Sequence, residues 1–196
     1  MHPVGILLAA GRGRRFDPSG ERNKLLQALP GGEPVVVASA RALLAVLPRV
    51  IAVVPPGDGG VADALRALGA EVTTCLEADS GMAASLVHAL RHSLTGGEAD
   101  AWLVALGDMP FVAPPTLRAL LDALAAGAGI AAPVHGGRRG NPVAFGAIHL
   151  PALLALEGEH GARGLLKSAQ VAEVAVEDPG ILRDIDTPAD LQGSTD

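Results

Sequence analysis

The chain has 196 residues, of which 49% are hydrophobic, so it can bury the core of one ordinary domain that spans residues 1–196. Charged residues make up only 18% of the chain, which excludes a disordered or fibrous protein. The net charge of −6 and the aromatic content of 2% exclude a nucleic-acid partner, because binding phosphates needs positive charge and stacking on bases needs aromatic rings.

One cysteine and one short apolar run bear on the cellular setting. Cys75 is the single cysteine, so the chain can form neither an internal disulfide framework nor a cysteine-based zinc site, and a reducing compartment is expected. The apolar run over residues 4–10 is too short to span a bilayer, and Arg12 follows it closely. We therefore expect a cytoplasmic protein without a membrane partner.

Short apolar runs alternate with helical patterns over the first two thirds of the chain. This pattern predicts strands over residues 4–8, 50–54, 71–75 and 101–106, and helices over residues 35–47, 61–68, 82–94 and 114–126. Such alternation specifies a three-layer α/β sandwich with a mostly parallel sheet. The alternation of strands and helices ends after Gly127. There we expect strands over residues 130–134, 142–145 and 171–176, at least two of which pair antiparallel. We also expect short helices from Leu150 and near Gly164.

The first predicted strand leads into a loop of small and basic residues. Backbone N–H groups can converge on an anion there, and arginines add positive charge, so the loop is a candidate cradle for a polyphosphate. It is not a Walker A loop, because no Gly-Lys-Ser/Thr follows, and Phe16 replaces the third glycine of a dinucleotide fingerprint. The alternative is a glycine turn with solvated arginines. The candidate phosphate-binding residues are Leu8, Ala9, Ala10, Gly11, Arg12, Gly13, Arg15 and Lys24.

Two acidic segments are candidates for binding a metal ion. Asp108 follows the fourth strand, at the sheet edge where open α/β sheets bind ligands, and its hard oxygen suits Mg²⁺. The alternative for Asp108 is an Asx turn or a helix cap. In the sequence Asp184-Ile185-Asp186, alternation places both carboxylates on one face if the segment is extended, so Asp186 is a second candidate ligand. The alternative is that Asp186 or Thr187 caps a helix at Pro188.

Three further groups of residues have weaker signals. Small residues at the start of the third helix suit close approach by a base or a ribose, although Ser85 alone fits a surface hydroxyl equally well. Two later segments could line an acceptor pocket or be ordinary turns. His88 and His92 have the i, i+4 spacing of a metal pair, but solvated helix positions are the favoured interpretation. The candidates are Gly81, Met82 and Ser85 for the nucleoside, and Asn141 and Arg163 for the acceptor.

Taken in order, LAAGRGRRF, Lys24, GMAAS, GDMP, a Gly-Asn-Pro-Val segment, GARGLL and DIDTP resemble the MobA-like nucleotidyltransferase family, in particular its molybdenum cofactor cytidylyltransferase branch. The resemblance implies a Rossmann-like α/β/α fold. It also implies an enzyme that binds a nucleoside triphosphate with Mg²⁺, transfers the nucleoside monophosphate to a phosphorylated acceptor such as molybdopterin, and releases pyrophosphate. A molybdoenzyme or its chaperone is the implied further partner.

The resemblance also assigns roles. Residues 8–13 and Arg15 would hold the triphosphate, Lys24 the region of the α-phosphate, Asp108 the metal and Asp186 a second metal contact. Arg15, Lys24 and Asp108 are then the expected catalytic residues, because attack at the α-phosphorus moves negative charge onto pyrophosphate.

Ala10 stands where the guanylyltransferase branch usually has glycine, which favours CTP over GTP. Asn141 stands where the cytidylyl branch commonly has histidine, and residues 17–23 lengthen the loop before Lys24. Alternatives that remain open are a related nucleotidyltransferase using GTP or a sugar or polyol phosphate, and a non-catalytic protein that binds the nucleotide or cofactor.

Overall fold

The computed structural model describes residues 1–11, 13–159 and 161–192. Within these residues the chain forms eight strands, six α-helices and several short 3₁₀ helices. The strands are β1 (Pro3–Leu8), β2 (Val50–Val54), β3 (Glu71–Thr74), β4 (Ala101–Leu106), β5 (Ile130–His135), β6 (Arg138–Arg139), β7 (Val143–Gly146) and β8 (Ala172–Ala175). The helices are α1 (Val35–Leu44), α2 (Val61–Ala67), α3 (Met82–Thr95), α4 (Pro114–Ala125), α5 (Leu150–Leu154) and α6 (Arg163–Ser168).

The strands form one mixed sheet in the order β3-β2-β1-β4-β7-β5-β6, with β8 paired to β5. β1 pairs in parallel with β2 and β4, and β2 pairs in parallel with β3, whereas β7 runs antiparallel to β4 and β5. The predicted parallel sheet with antiparallel strands is therefore confirmed. The chain order reverses on either side of β1, and the crevice at such a reversal is where open α/β sheets bind ligands.

Helices cover both faces of the sheet, as the predicted three-layer sandwich requires. One buried cluster joins the sheet to α1, α2 and α4, and a second joins it to α3 and α5. The central strands are buried on both faces, which explains their continuous apolar sequences. Val35 and Val36 favour strands by propensity, yet they lie in α1 because both are fully buried against the sheet. None of the described helices is long and apolar enough to cross a membrane.

A buried carboxylate joins the start of α4 to the C-terminal part of the chain. Asp178 accepts hydrogen bonds from the Ala113 N–H (2.9 Å), the Thr116 hydroxyl (2.6 Å) and the Gly180 N–H (2.9 Å). These bonds compensate for burying the charge. They also fix the chain just before the short 3₁₀ helix Pro179–Leu182, from which residues 183–187 continue towards the crevice.

We predict that Asp178→Ala lowers the free energy of unfolding by about 3 kcal/mol, because three donors, two of them in buried hydrogen bonds, lose their acceptor. Equilibrium urea unfolding measures this change as a lower midpoint at unchanged slope. Asp122→Ala, at an exposed position of the same helix α4, is the matched control and should change stability by less than about 0.5 kcal/mol. Equal stability of the two variants would contradict the anchoring role of Asp178.

Candidate active site

A cavity of about 450 Å³ opens at the carboxyl ends of β1 and β4. The pairing of Leu8 with Leu106 brings the two following loops side by side, as expected for parallel neighbours. Eight of the residues predicted to bind the nucleotide line this cavity: Leu8, Ala10, Gly11, Lys24, Gly81, Met82, Ser85 and Asp108. The structure thus brings together three segments that are far apart in the sequence.

The remaining residues of the predicted phosphate loop have other surroundings. The Ala9 N–H donates to the Val53 carbonyl (2.9 Å), so it extends the β1–β2 pairing. Gly13 has a positive φ of 59° and packs on the Lys24 side chain. The Arg15 side chain is 81% exposed and lies outside the cavity, whereas the neighbouring Arg14 lines it. Arg12 lies outside the described residues.

Lys24 is held at the cavity by the preceding loop. The Asn23 side chain accepts the Leu25 N–H (3.0 Å) and caps the short 3₁₀ helix Lys24–Leu26. The inserted segment before it is ordered around Asp17, which accepts hydrogen bonds from the Ser19 hydroxyl and from the Arg22 N–H. These two hydrogen bonds lower the pKa of the Asp17 carboxyl. The insertion therefore has a defined turn that delivers Lys24 to the crevice.

The ammonium of Lys24 joins the loop after β1 to the loop after β4. Lys24 is 8% exposed. Its Nζ donates to Asp108 Oδ2 at 2.6 Å and to the Ile185 carbonyl at 3.0 Å, and lies 3.6 Å from Asp186 Oδ1. A buried ammonium needs such partners, because desolvating an unpaired charge is costly. Asp108 therefore forms an ion pair with a residue that is distant in the sequence, in addition to its place in a turn.

Asp108 lies in a loop whose backbone is fixed on both sides. The Gly107 N–H donates to the Leu8 carbonyl (2.9 Å), and the Ser39 hydroxyl on α1 lies 3.0 Å from the Gly107 carbonyl oxygen, an acceptor for it. A Cβ at position 107 would lie 3.1 Å from the Leu8 oxygen, so glycine allows this close approach. The Asp108 carbonyl accepts the Ile185 N–H (2.8 Å), which brings the C-terminal segment to the same place.

Three carboxylates meet at this point. Asp108, Asp184 and Asp186 each offer an oxygen, and these oxygens lie within 4.8 Å of one another. The segment from Asp184 to Asp186 forms no strand. Both carboxylates nevertheless come together beside Asp108, while the intervening Ile185 is fully buried in the core. Desolvation, followed by the charge of Asp186, raises the pKa of the Asp184 carboxyl.

The capping alternative for this segment applies to Thr187. Thr187 directly precedes the 3₁₀ helix Pro188–Gln192, and its N–H and hydroxyl both donate to Asp190 within that helix, as does the Asp186 N–H. The carboxylate of Asp186 is instead paired with the guanidinium of Arg15 and with Lys24.

The carboxylate cluster fits a divalent metal ion. Carboxylate oxygens are the hard donors that Mg²⁺ and Mn²⁺ prefer. Within the described part of the chain it is the one group of three acidic, histidine or cysteine side chains that is compact enough to hold an ion. The two histidines of α3 bind the edge strand instead: His88 Nε2 is 2.8 Å from the Thr73 hydroxyl and His92 Nε2 is 2.6 Å from a Glu71 oxygen. Both side chains are half-buried at the surface and contact β3.

The two predicted acceptor residues do not line the cavity. Asn141 faces the α1 and α4 side of the sheet, near Ser39 and Leu117, and its N–H donates to the Ile181 carbonyl (3.0 Å). Arg163 is exposed at the first residue of α6. It comes two residues after Gly161, which packs on Met82 at the cavity wall. The acceptor roles of Asn141 and Arg163 stay predictions.

Three charged residues that line the cavity, Arg14, Asp79 and Glu159, were not among the predicted ligands. Arg14 belongs to the arginine cluster of the first loop, but sequence spacing could not separate it from Arg15. Asp79 and Glu159 line the cavity beside Gly81. Asp79 is near enough to the predicted start of α3 to have been considered, whereas Glu159 has no sequence signal, because a distant loop brings it to Gly81.

The sequence model of the MobA-like NTP transferase domain family matches residues 5–174. The chain belongs to this family. MobA-like NTP transferases carry out nucleotidyl transfer. Lys24 and the carboxylates lie where the strand order reverses, and this arrangement is suited to a phosphorylated ligand. The predicted family and the predicted Rossmann-like fold are both confirmed.

Individual relatives support this assignment. The purine catabolism protein PucB of Bacillus subtilis is 31% identical over 94% of this chain and 92% of its own. The crystal structure of Rv0371c from Mycobacterium tuberculosis has a TM-score of 0.82 and 28% identity, covering 97% of this chain and 95% of that one; a second structure of Rv0371c is a manganese complex. The molybdopterin-guanine dinucleotide biosynthesis protein A of Archaeoglobus fulgidus has a TM-score of 0.65 and 25% identity, covering 96% and 94%.

We predict that Asp108→Asn weakens Mn²⁺ binding at least about tenfold, because a neutral amide is a poorer ligand than a carboxylate for a hard cation. Free Mn²⁺ is counted by electron paramagnetic resonance during a titration. Asp100→Asn is the control: Asp100 immediately precedes β4 and so lies at the opposite end of that strand, beside the N-terminus. Binding that responds equally to both substitutions would contradict a metal site at Asp108.

Proposed function

We propose that this MobA-like NTP transferase is a Mg²⁺-dependent cytidylyltransferase that transfers CMP from CTP to molybdopterin, a phosphorylated acceptor, and releases pyrophosphate. The observation that carries the proposal is the contact of Lys24 with Asp108 in the cavity between the ends of β1 and β4. A cation and a carboxylate at this position would suit a triphosphate and its metal ion. The product would pass to a molybdoenzyme or its chaperone.

The cavity has the volume and the charges that a nucleotide needs. Its volume of about 450 Å³ lies within the range of small-molecule sites. Lys24 and Arg14 supply positive charge on its wall, beside the backbone of Gly11. Small residues at the start of α3 leave room for a flat base or a ribose at the other wall. The ligand expected from these features is anionic at one end and carries a nucleoside at the other.

Charge neutralisation and positioning would supply the catalysis. The phosphate oxygen of the acceptor is already ionised near neutral pH, so attack at the α-phosphorus needs no general base. Lys24 would stabilise the charge that develops on the phosphates as pyrophosphate leaves. Arg14, and Arg15 after a change of rotamer, would add charge at the β- and γ-phosphates. A divalent metal held by Asp108 and Asp186, when bound, would neutralise phosphate oxygens.

The choice of nucleotide and acceptor rests on the resemblance to the cytidylyltransferase branch. Ala10 lies on the cavity wall, at the position where the guanylyl branch usually has glycine, and a methyl group there favours a smaller base. The similarity to a molybdopterin-guanine dinucleotide biosynthesis protein supports the molybdopterin acceptor and keeps GTP as the first competitor of CTP.

Pyrophosphate release tests the proposal directly. The purified protein is incubated with Mg²⁺ and CTP, GTP, ATP or UTP in turn, with and without molybdenum cofactor. We expect release with CTP that depends on the cofactor. Cofactor-dependent release with GTP would show that the protein transfers GMP rather than CMP. Release that needs a sugar or polyol phosphate would show that this compound, and not molybdopterin, is the acceptor. Tight nucleotide binding without any release would identify a binding protein and contradict the proposed activity.

We predict that Lys24→Ala lowers kcat about 100-fold or more, and that Asp108→Ala abolishes metal-dependent turnover, because both remove charge that acts on the transferring phosphates. Pyrophosphate release with saturating CTP measures kcat, and circular dichroism verifies the fold of each variant. Lys167→Ala removes an exposed lysine on α6 and is the matched control, with kcat within about twofold of the wild type. Wild-type kcat in Lys24→Ala would contradict the assigned role.

A further inference from the structure

Lys24 occupies the place in the carboxylate cluster that a cation takes. Its ammonium has three donors and no acceptor, and two of its partners are carboxylates of the cluster, Asp108 at 2.6 Å and Asp186 at 3.6 Å. The third is the backbone carbonyl of Ile185 at 3.0 Å. The positive charge of this one side chain therefore pairs with two of the three carboxylates that fit a divalent ion.

We propose that Lys24 is the built-in counter-ion of this cluster and that it competes with the divalent metal for Asp108 and Asp186. Two cations on the same carboxylate oxygens repel each other strongly in a partly desolvated site. Metal binding to the protein alone must therefore displace the ammonium from Asp108. The cost of displacing a buried and paired charge weakens the metal affinity of the nucleotide-free protein.

The Lys24 ammonium has a second position within reach, in the cavity. Its stem runs along Gly13 of the phosphate loop, where a Cβ would lie 3.2 Å from Lys24 Cγ. The same side chain lines the cavity. A lysine stem has four flexible carbons, so rotation near its end moves the ammonium from Asp108 towards the cavity while the stem stays packed on Gly13.

The consequence is a coupling between nucleotide and metal. A triphosphate in the cavity attracts the ammonium to phosphate oxygens and so releases the carboxylates for the metal. Each ligand then raises the affinity for the other by the same factor, as linkage requires. This second step rests on the proposed nucleotide chemistry, whereas the competition itself does not.

Mn²⁺ titrations of the nucleotide-free protein test the competition. We expect Lys24→Met, which keeps the length of the stem and removes the charge, to bind Mn²⁺ about tenfold more tightly than the wild type. Arg15→Met is the matched control: it removes one positive charge that also pairs with Asp186, but from a side chain that is 81% exposed, so its affinity should change by less than about threefold. Equal effects of the two substitutions, or weaker binding in Lys24→Met, would overturn the proposal.

A second measurement uses the wild-type protein and needs no variant to fold. The chain has two lysines, Lys24 and Lys167, so mass spectrometry can follow acetylation of both side chains by acetic anhydride. We expect saturating Mn²⁺ to raise the acetylation rate of Lys24 severalfold, since the metal displaces the ammonium, and to leave that of Lys167 unchanged. An unchanged or lower rate at Lys24, with Mn²⁺ bound, would contradict displacement.

Adding CTP to the titrations separates this inference from the proposed function. We expect CTP to tighten Mn²⁺ binding to the wild type by a larger factor than it tightens binding to Lys24→Met. Equal enhancement in both proteins would overturn the coupling. If none of CTP, GTP, ATP and UTP binds, the proposed function fails, and the metal-only titrations still decide whether Lys24 is the counter-ion.

Discussion

The burial of the Lys24 ammonium is the constraint on which the site depends. A charged group at 8% exposure is tolerated only where several acceptors surround it. Those acceptors come from the loop after β4 and from the C-terminal segment, so Lys24 is satisfied only when both segments have reached β1. The parallel pairing of β1 with β4 is therefore a precondition of the charge arrangement as well as of the fold.

The C-terminal segment completes the site through a series of side-chain and backbone contacts. Asp178 fixes its start, the Arg183 guanidinium stacks on the Phe111 ring at 4.2 Å from the centroid, and the Ile185 N–H pairs with the Asp108 carbonyl. The absence of a side chain at Gly180 matters here, because a Cβ would collide with the Phe111 carbonyl. The carboxylates of Asp184 and Asp186 are thus positioned at the crevice by residues that take no part in the proposed reaction.

The sequence predicted the parts of this arrangement that follow from strand direction. Continuous apolar runs indicated buried parallel strands, and Asp108 was placed correctly at the crevice because the carboxyl ends of neighbouring parallel strands meet at one edge. The prediction could not separate Arg14 from Arg15, since the positive φ of Gly13 just before them affects which of the two side chains faces the cavity. The position of Asn141 was equally inaccessible, because the pairing of its N–H with Ile181 decides which face of the sheet it lies on.

The family match and the structure contribute different parts of the site. The matched segment, residues 5–174, contains the predicted phosphate loop, Lys24 and Asp108, but it ends before Asp184 and Asp186. The sequence motif had already made Asp186 a candidate ligand, and the geometry adds Asp184: one oxygen of each lies within 4.8 Å of one of Asp108. The parallel half of the sheet accordingly supplies the walls of the cavity that carry Lys24 and Asp108. The segment that follows the antiparallel strands supplies the extra negative charge of Asp184 and Asp186. Whether Lys24 or a metal ion pairs with these carboxylates therefore couples the C-terminal segment to the loops after β1 and β4.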